Sequence, residues 1–398
     1  MCLKHYIVFL FLFAYTIVYA QQPLSNFYQR PESQAAYPFT TFYFFNQSRL
    51  PLYLPEIDEY VLLKCDFHLH TVFSDGSVWP VSRVEEAFRE GLDAIAITDH
   101  IEYRHINKDI NALENYNREY EIAKSAADNL GVLLVPGLEV TREYPVGHYN
   151  MLFIDDANPL AKHINHDNPY DTTAIVDILS AGKAMGAFTF WNHPAFPNPN
   201  GIAQWNSVQQ NLYEKGLLMG IELINTGLHI PLVHQWADEK GLTILANTDA
   251  HGALLLRDGS YRSMTIVFAR DRSIASIREA LFAKRTIGYA HNYLYGKEEL
   301  LKSIFEKSLK TRILRSTDKE IALEIRNLTG LPFELEFIDD NHFVPPTYFN
   351  YKFVLYGNET IAVALQKKNA ASQSKEISVV VNNLHVKAST PLKTTIKF

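Results

Sequence analysis

The chain has 398 residues, 47% of them hydrophobic, enough for one large core and a smaller one, so two domains are expected. Its formal charge is −7 with no block of five like charges, which excludes the basic footprint of a protein that grips long nucleic acid. A small anionic substrate stays open if the site itself is positive.

Residues 1–20, MCLKHYIVFLFLFAYTIVYA, carry one lysine before an unbroken apolar run and end in Val18-Tyr19-Ala20, with small residues where a signal peptidase reads. This is the pattern of a secretory signal peptide. The run from Tyr6 to Ala20 is shorter than the roughly 20 residues that cross hydrocarbon. A lipid-anchored export signal would place cysteine after the cut, where Gln21 and Gln22 stand. The expected product is exported, periplasmic or extracellular, and free of the membrane after signal cleavage. Loss of Cys2 leaves Cys65 as the single thiol, so no intramolecular disulfide is expected and stability must come from burial.

Residues 21–55 are rich in proline, glutamine, serine and aromatic residues without a sustained period, and read as an irregular arm. From residue 56 to about 300, amphipathic stretches end in glycine and short apolar runs follow, as in REGLDAIAIT, DNLGVLLVPG, AMGAFTFW, EKGLLMGIEL and EKGLTILA. Glycine just past a helix supplies a left-handed closing residue, and the run behind it reads as a strand buried on both faces. Apolar runs beginning near Tyr60, Asp93, Val132, His148, Ala187, Gly220, Leu242 and Ser263 predict seven or eight strands, which favours a barrel of repeating helix and parallel strand units. No strand is followed by a glycine-rich phosphate loop. Residues 301–398 alternate strictly in EIALEIRN, PFELEFID, YKFVLYG, TIAVALQ and EISVVVNN, which predicts a β-rich, sandwich-like C-terminal domain with an accessory or packing role.

The residues suited to chemistry stand where these strands end. In CDFHLH, His68 and His70 are two apart, which in a strand puts both imidazoles on one face. Asp75 lies in FSDG, His100 closes DAIAITDH, Glu139 closes VLLVPGLEV, His148 opens GHYNMLF, His193 lies in FWNHPA, and Asp249 and His251 close ILANTDAH. Barrel strands converge at one mouth, so six histidines and three carboxylates would meet there. Nitrogen and oxygen ligands without thiolate point to zinc, manganese or iron, and the number of ligands suits two or three divalent ions. Singly, each residue has an ordinary explanation, since Asp-Gly is a common turn and a lone histidine is usually a hydrogen-bonded surface group. Together at strand ends of one architecture they do not.

HLH, SDG, TDH, the glutamate of PGLE, GH before a strand, NHP and DAH resemble the ordered motifs of the PHP family, the polymerase and histidinol phosphatase superfamily, over residues 56–300. The resemblance implies a distorted seven-stranded α/β barrel, a (β/α)7 barrel of PHP type, with a trinuclear metal centre. It implies one ion on His68, His70, Glu139 and Asp249, a second on Glu139, His148 and His193, and a third on Asp75, His100 and His251, with Glu139 as bridging carboxylate. No ligand position is missing. The chain is most similar to exported members with a β-rich C-terminal domain, a group associated with phosphodiesterase activity.

Three divalent ions against three ligand carboxylates leave a positive cavity that would attract a small phosphate ester. A hydroxide held between metals is the implied nucleophile, with no covalent enzyme intermediate. Arg104 and Arg142, close behind His100 and Glu139, are candidates to fork onto the phosphate, and Arg262 is a weaker one. Glu222, Asn192 and Asp66 are candidates to orient the ligands. His105, His163, His166, His229, His234, His291, His342 and His385 fit no pattern and read as solvent or packing histidines. Sequons at Asn46, Asn327 and Asn358 matter only in a eukaryotic secretory pathway. A phosphodiesterase is the leading function. The alternatives are a phosphomonoesterase of the same family, a metal-dependent binding protein without turnover, and a barrel hydrolase of amides or lactones, which would often bridge its metals with a carboxylated lysine where Glu139 stands.

Overall fold

The eight apolar runs become strands that start within one residue of their expected positions: β1 (Val61–Asp66), β2 (Ala94–Ile97), β3 (Leu133–Val140), β4 (Tyr149–Leu152), β5 (Phe188–Trp191), β6 (Gly220–Asn225), β8 (Thr243–Asn247) and β9 (Met264–Ala269), with a two-residue β7 (Leu228–His229) paired back onto β6. The computed structural model describes residues 51–398 except 103, 105–114, 165–166, 169, 255–259, 339–340, 345–351 and 371–372. The signal peptide, residues 21–50 of the arm, His105, His166 and Asn46 lie outside the described residues.

Helices α1 (Pro80–Arg89), α2 (Arg118–Leu130), α3 (Thr172–Ala184), α4 (Ser207–Glu214), α5 (Pro231–Lys240), α6 (Ile274–Phe282) and α7 (Glu298–Ser308) alternate with the strands. As the sequence indicates, α2 and α5 close on Gly131 and Gly241, whose φ values of 67° and 59° lie in the left-handed region that glycine enters without a Cβ penalty. At the other end, the Asp171 carboxylate caps α3 by accepting from the backbone N–H groups of Thr173 and Ala174.

The strands β1, β2 and β3 are mutually parallel, as are β5, β6 and β8. The expectation of a uniformly parallel repeat fails at two places. β4 runs antiparallel between β3 and β5, and β9 antiparallel to β1. For β4 the reason is length: the segment from Val140 to Tyr149 is too short for the dozen or more residues of a parallel crossover, so the chain turns straight back.

The ring closes between β8 and β1 at the mouth. There the His70 N–H donates to Ala250 O at 3.0 Å and the Asp249 N–H donates to His68 O at 2.9 Å, continuing both strands past their regular ends. Lower down, β8 is joined not to β1 but to threonine side chains of β9 and of the strand that follows it. Thr265 Oγ1 donates to Ala246 O at 2.9 Å and accepts from Ala246 N, and Thr286 Oγ1 donates to Ile244 O at 2.6 Å.

After β10 (Thr286–Ala290) and β11 (Tyr293–Gly296) the chain enters the β-rich part. β12 (Leu309–Ser316), β13 (Glu320–Asn327), β17 (Thr360–Lys367) and β15 (Phe343–Val344) form one antiparallel sheet. β14 (Phe333–Phe337), β16 (Lys352–Leu355), β18 (Glu376–Lys387) and β19 (Thr390–Lys397) form the other, and alternate residues of β13 and β14 are buried between the layers. This second sheet is not separate from the barrel. β18 pairs parallel with β11, whose hairpin partner β10 pairs with β9, so one sheet path runs from the barrel into the sandwich. The largest apolar cluster likewise combines Leu69, Ile95 and Ile287 with Leu323, Phe333 and Val379.

His229, His234 and His385 gather around Tyr295 along this seam, with the His229 and Tyr295 rings stacked at 4.2 Å. Burial pushes His229 and His234 down to about 4, so both pack as neutral rings. The sequon at Asn327 is closed, because its buried amide donates to Leu331 O at 2.6 Å and Tyr356 O at 3.1 Å.

Candidate metal centre

Each expected ligand is placed by a strand end and a local device that aims it. His68 and His70 sit on the continuation of β1, with Leu69 between them in the apolar core. Behind them the Asp99 carboxylate accepts from the Thr71 N–H at 2.6 Å and from the Thr71 and Ser74 hydroxyls, tying the HLH segment to the SDG turn. Gly76 closes that turn directly against the chain. A Cβ there would lie 2.7 Å from backbone atoms of His70 and Thr71, so only glycine lets Asp75 reach the mouth. Two of the expected ligands, His193 (φ 27°) and Asp249 (φ 53°), have positive φ, a strained backbone that persists where surrounding structure imposes it.

All nine residues converge on one cavity region. Glu139, fully buried, divides its oxygens between two histidine pairs. Oε2 lies 2.8 Å from His68 Nε2 and 3.2 Å from His70 Nε2, while Oε1 lies 2.8 Å from His148 Nδ1 and 3.7 Å from His100 Nδ1. Asp249 Oδ1 lies 3.1 Å from His68 Nε2 and 3.0 Å from His70 Nε2, and its Oδ2 lies 3.7 Å from His193 Nε2. Asp75 stands 3.2 Å from His251 Nε2 and 3.3 Å from His100 Nε2. Ligand atoms fall into overlapping groups: His70 with Asp75, His100 and His251; His68 and His70 with Asp249; His68 with Glu139 and His193; His100 with Glu139 and His148. His70 is thus shared between two groups, and His148 groups with His100 rather than with His193.

The arrangement fits divalent cations on its own chemistry. His70 Nε2 and Asp249 Oδ1 face each other while buried and without a hydrogen-bond partner, as two electron-pair donors would around a cation. Glu222 supplies the complementary orientation: its Oε1 lies 3.0 Å from His68 Nδ1, and with Nδ1 as the donor there, Nε2, which faces Glu139 and Asp249, would be the atom left to ligate a cation. Asn247 and Asn225 in turn donate to Glu222 at 2.9 Å each, and its Oε2 accepts the His193 N–H at 2.8 Å. Replacing Glu222 with alanine is therefore expected to weaken metal affinity about 10- to 100-fold, read by competition with a chromophoric chelator. Unchanged affinity would reduce Glu222 to a packing residue.

The same carboxylates draw positive charge onto the imidazoles, as protons that a bound cation would displace. Burial disfavours a charged His70, but the carboxylates of Asp249 and Glu139 outweigh it and raise its pKa to about 10. His68 is likewise raised against burial by Asp249, Glu222 and Glu139. Burial would raise the carboxyls of Glu139 and Asp249, yet the surrounding imidazoles hold both well below the usual range. For His148 burial wins and pushes the ring down to about 4, the neutral form a metal ligand needs. The cavity itself is about 400 Å³ and holds Asp75, Glu139, Glu143 and Asp249 but neither lysine nor arginine among the described lining residues.

The two arginines expected to grip phosphate are committed elsewhere. Arg104 is buried and forks onto Glu119 of α2, with contacts of 3.0 and 2.6 Å, and Arg142 is buried against Glu102. Neither lines the cavity. Arg262 is equally buried, joined to Asp66 at 3.0 Å and Glu90 at 2.5 Å. Asp66 also accepts from Thr248 Oγ1 at 2.6 Å and so staples the HLH strand to the NTDAH strand, a positioning role the sequence reading allowed. The Asn192 amide donates to Asn150 at 2.8 Å, and its backbone N–H donates to His148 O at 3.0 Å. Sequence reasoning missed Asp99, Thr141 (whose hydroxyl lies 2.6 Å from His100 Nδ1), Glu143, Phe196 and Asn225. Only Asp99 carried a signal, as the residue before His100 in TDH.

Residues 66–216 match the family model of the PHP domain. The solved structure of a two-domain protein containing a predicted PHP-like metal-dependent phosphoesterase from Bacteroides vulgatus is 36% identical, with a TM-score of 0.79 over 88% of this chain and 99% of that one. A putative metal-dependent phosphoesterase from Bifidobacterium adolescentis is 18% identical, with a TM-score of 0.38 over 55% of this chain and 95% of that one. A histidinol phosphate phosphatase from Lactococcus lactis, solved with zinc, L-histidinol and phosphate, is 19% identical, with a TM-score of 0.30 over 48% and 88%. No curated protein matches.

Proposed function

Because the chain belongs to the PHP family of metal-dependent phosphoesterases, we propose that it is an exported phosphodiesterase working at a three-ion centre held by His68, His70, Asp75, His100, Glu139, His148, His193, Asp249 and His251. The observation that carries this reading is the division of Glu139, one oxygen toward His68 and His70 and the other toward His148 and His100, which suits a carboxylate bridging two ions. Zinc, manganese or iron would suit these nitrogen and oxygen donors. The ions, when bound, supply Lewis acidity and lower the pKa of water toward neutrality.

The chain's own groups do the rest. Glu139 and Asp249 concentrate negative charge where cations are to be held, and Glu222 keeps His68 in one tautomer. Asp99 holds the HLH segment and the Asp75 turn at fixed separation. Choice of substrate follows from what else lines the cavity. A terminal phosphate carries two charges and is usually gripped by arginine forks. Here the described lining offers none, and Glu143 adds a carboxylate that opposes the second charge, so a singly charged diester is favoured over a monoester. No serine, threonine or cysteine stands among the described lining residues, in keeping with direct attack by water. Export rests on the Tyr6–Ala20 run and the Val18-Tyr19-Ala20 cleavage pattern.

The test uses bis-p-nitrophenyl phosphate and p-nitrophenyl phosphate with the protein as purified, metal-stripped, and restored with zinc or manganese, beside His193→Ala. The expected result is metal-restored cleavage of the diester at least tenfold faster than the monoester, lost in the variant. Faster monoester cleavage would make the protein a phosphomonoesterase. Retained metal with neither ester cleaved would favour a binding protein. Sequencing the exported product should begin at Gln21; retention of residues 1–20 would remove the export reading.

A further inference from the structure

The cavity has one uncharged wall. The segment from Pro194 to Asn206, between β5 and α4, contains no Asp, Glu, Lys, Arg or His, and it presents Phe196 and Ile202 at 59% and 56% exposure. Isolated apolar residues on a surface need no explanation, but Phe196 is not isolated from the chemistry. It lines the cavity, and its ring lies 5.5 Å from that of His148 and 5.4 Å from that of His193, edge to face with both.

Its exposure is held in place by the backbone. The Phe196 N–H donates to His193 O at 2.8 Å, so the ring is carried by the same turn that carries a metal-ligand candidate. Beyond it Asn198 organises the loop: its amide donates to Ile202 O at 2.7 Å, its Oδ1 accepts from the Asn200 N–H at 3.1 Å, and its carbonyl accepts from the Gly201 N–H at 2.9 Å. Gln204 is tied to Tyr144 OH at 2.7 Å and Asn206 to Pro145 O at 3.1 Å. A preformed aromatic surface beside the imidazoles avoids the ordering cost that a loose loop would add on binding.

From this we infer that the β5–α4 loop is a subsite for a flat aromatic arm of the substrate, with Phe196 as the stacking platform; the inference rests on the phosphodiesterase reading and extends it to substrate class. The phosphoryl group sits over the imidazole cluster and its aromatic arm lies on Phe196, beside His148 and His193. Stacking of a planar ring on an aromatic side chain is commonly worth enough to change affinity roughly tenfold.

Two singly charged ligands that contain no ester bond test it, methyl(phenyl)phosphinate and cyclohexyl(methyl)phosphinate, which share a headgroup and differ in whether the ring is flat. Calorimetry on the metal-loaded protein should show the phenyl compound binding roughly tenfold tighter. Phe196→Ala should abolish that preference while metal content and melting temperature stay unchanged, and Phe196→Trp should restore it. Equal binding of the two by the unaltered protein, or a preference that survives in Phe196→Ala, overturns the subsite. Turnover of bis-p-nitrophenyl phosphate, measured in parallel, separates the two readings. Selective binding without turnover keeps the subsite and sinks the phosphodiesterase, and turnover without selectivity does the reverse.

Discussion

Glu139→Gln is expected to lose most bound metal and to cleave phosphoesters on the order of a thousandfold more slowly, the several kcal/mol that metal catalysis supplies, converted at about 1.4 kcal/mol per tenfold. Glutamine keeps the shape of the side chain, but one end becomes an NH₂ group that faces imidazoles already packed at 2.8–3.7 Å. Whichever way the amide turns, one histidine pair meets a donor instead of an anion, and buried polar groups without a partner are unfavourable. The loss should therefore reach both sides of the centre, seen as a fall in metal stoichiometry by elemental analysis as well as in rate. Full metal content with normal turnover would show that Glu139 does not bridge. His193 stands at the edge of the cluster, 3.7 Å from Asp249, and its alanine variant should keep more metal than Glu139→Gln does.

Arg262→Met should produce the largest loss of stability outside the centre, about 3–5 kcal/mol by urea denaturation, because breaking a buried ion pair leaves uncompensated charge. Two carboxylates depend on this guanidinium. Asp66 is fully buried and Glu90 nearly so, and Arg262 contacts both. Burial raises the Asp66 carboxyl even with Arg262 beside it, so without the arginine its charge becomes harder still to keep. A second change, Asp66→Asn, should recover part of the stability by removing one stranded charge, a coupling that a double-mutant cycle measures. A loss below 1 kcal/mol would mean that solvent reaches the pair. Because Asp66 also ties His68 to Thr248, some loss of metal affinity is expected to accompany the unfolding.

Much of the barrel was legible because its signals are local. Glycine after an amphipathic stretch and an apolar run behind it place a helix end and a strand start within one residue, as DNLG before Leu133 and EKG before Thr243 do. Strand direction was less legible. β4 carries the same apolar signature as its parallel neighbours, and only the length of the preceding turn reverses it. The link between sandwich and barrel through β11 and β18 was not legible at all, since it joins Leu294 to Leu384 across 89 intervening positions.

What the sequence by itself determined is the set of candidate ligand types and their presentation. Strand periodicity of two puts His68 and His70 on one face, and barrel geometry brings strand ends to one mouth, so histidines and carboxylates found there must converge. What only the tertiary structure decided is which charge answers which. Arg104 and Arg142 stand as close to the ligands in sequence as their assigned role required, yet Glu119 and Glu102 claim them. Glu222 reads as an ordinary strand glutamate until it is seen at His68 Nδ1, and Phe196 as an ordinary apolar residue until it is seen exposed beside two imidazoles. The physical reason is common to all of these. Secondary structure and side-chain direction are set within a few residues, whereas the partner of a buried charge, and the exposure of a ring, depend on which distant segments the folded chain packs against it.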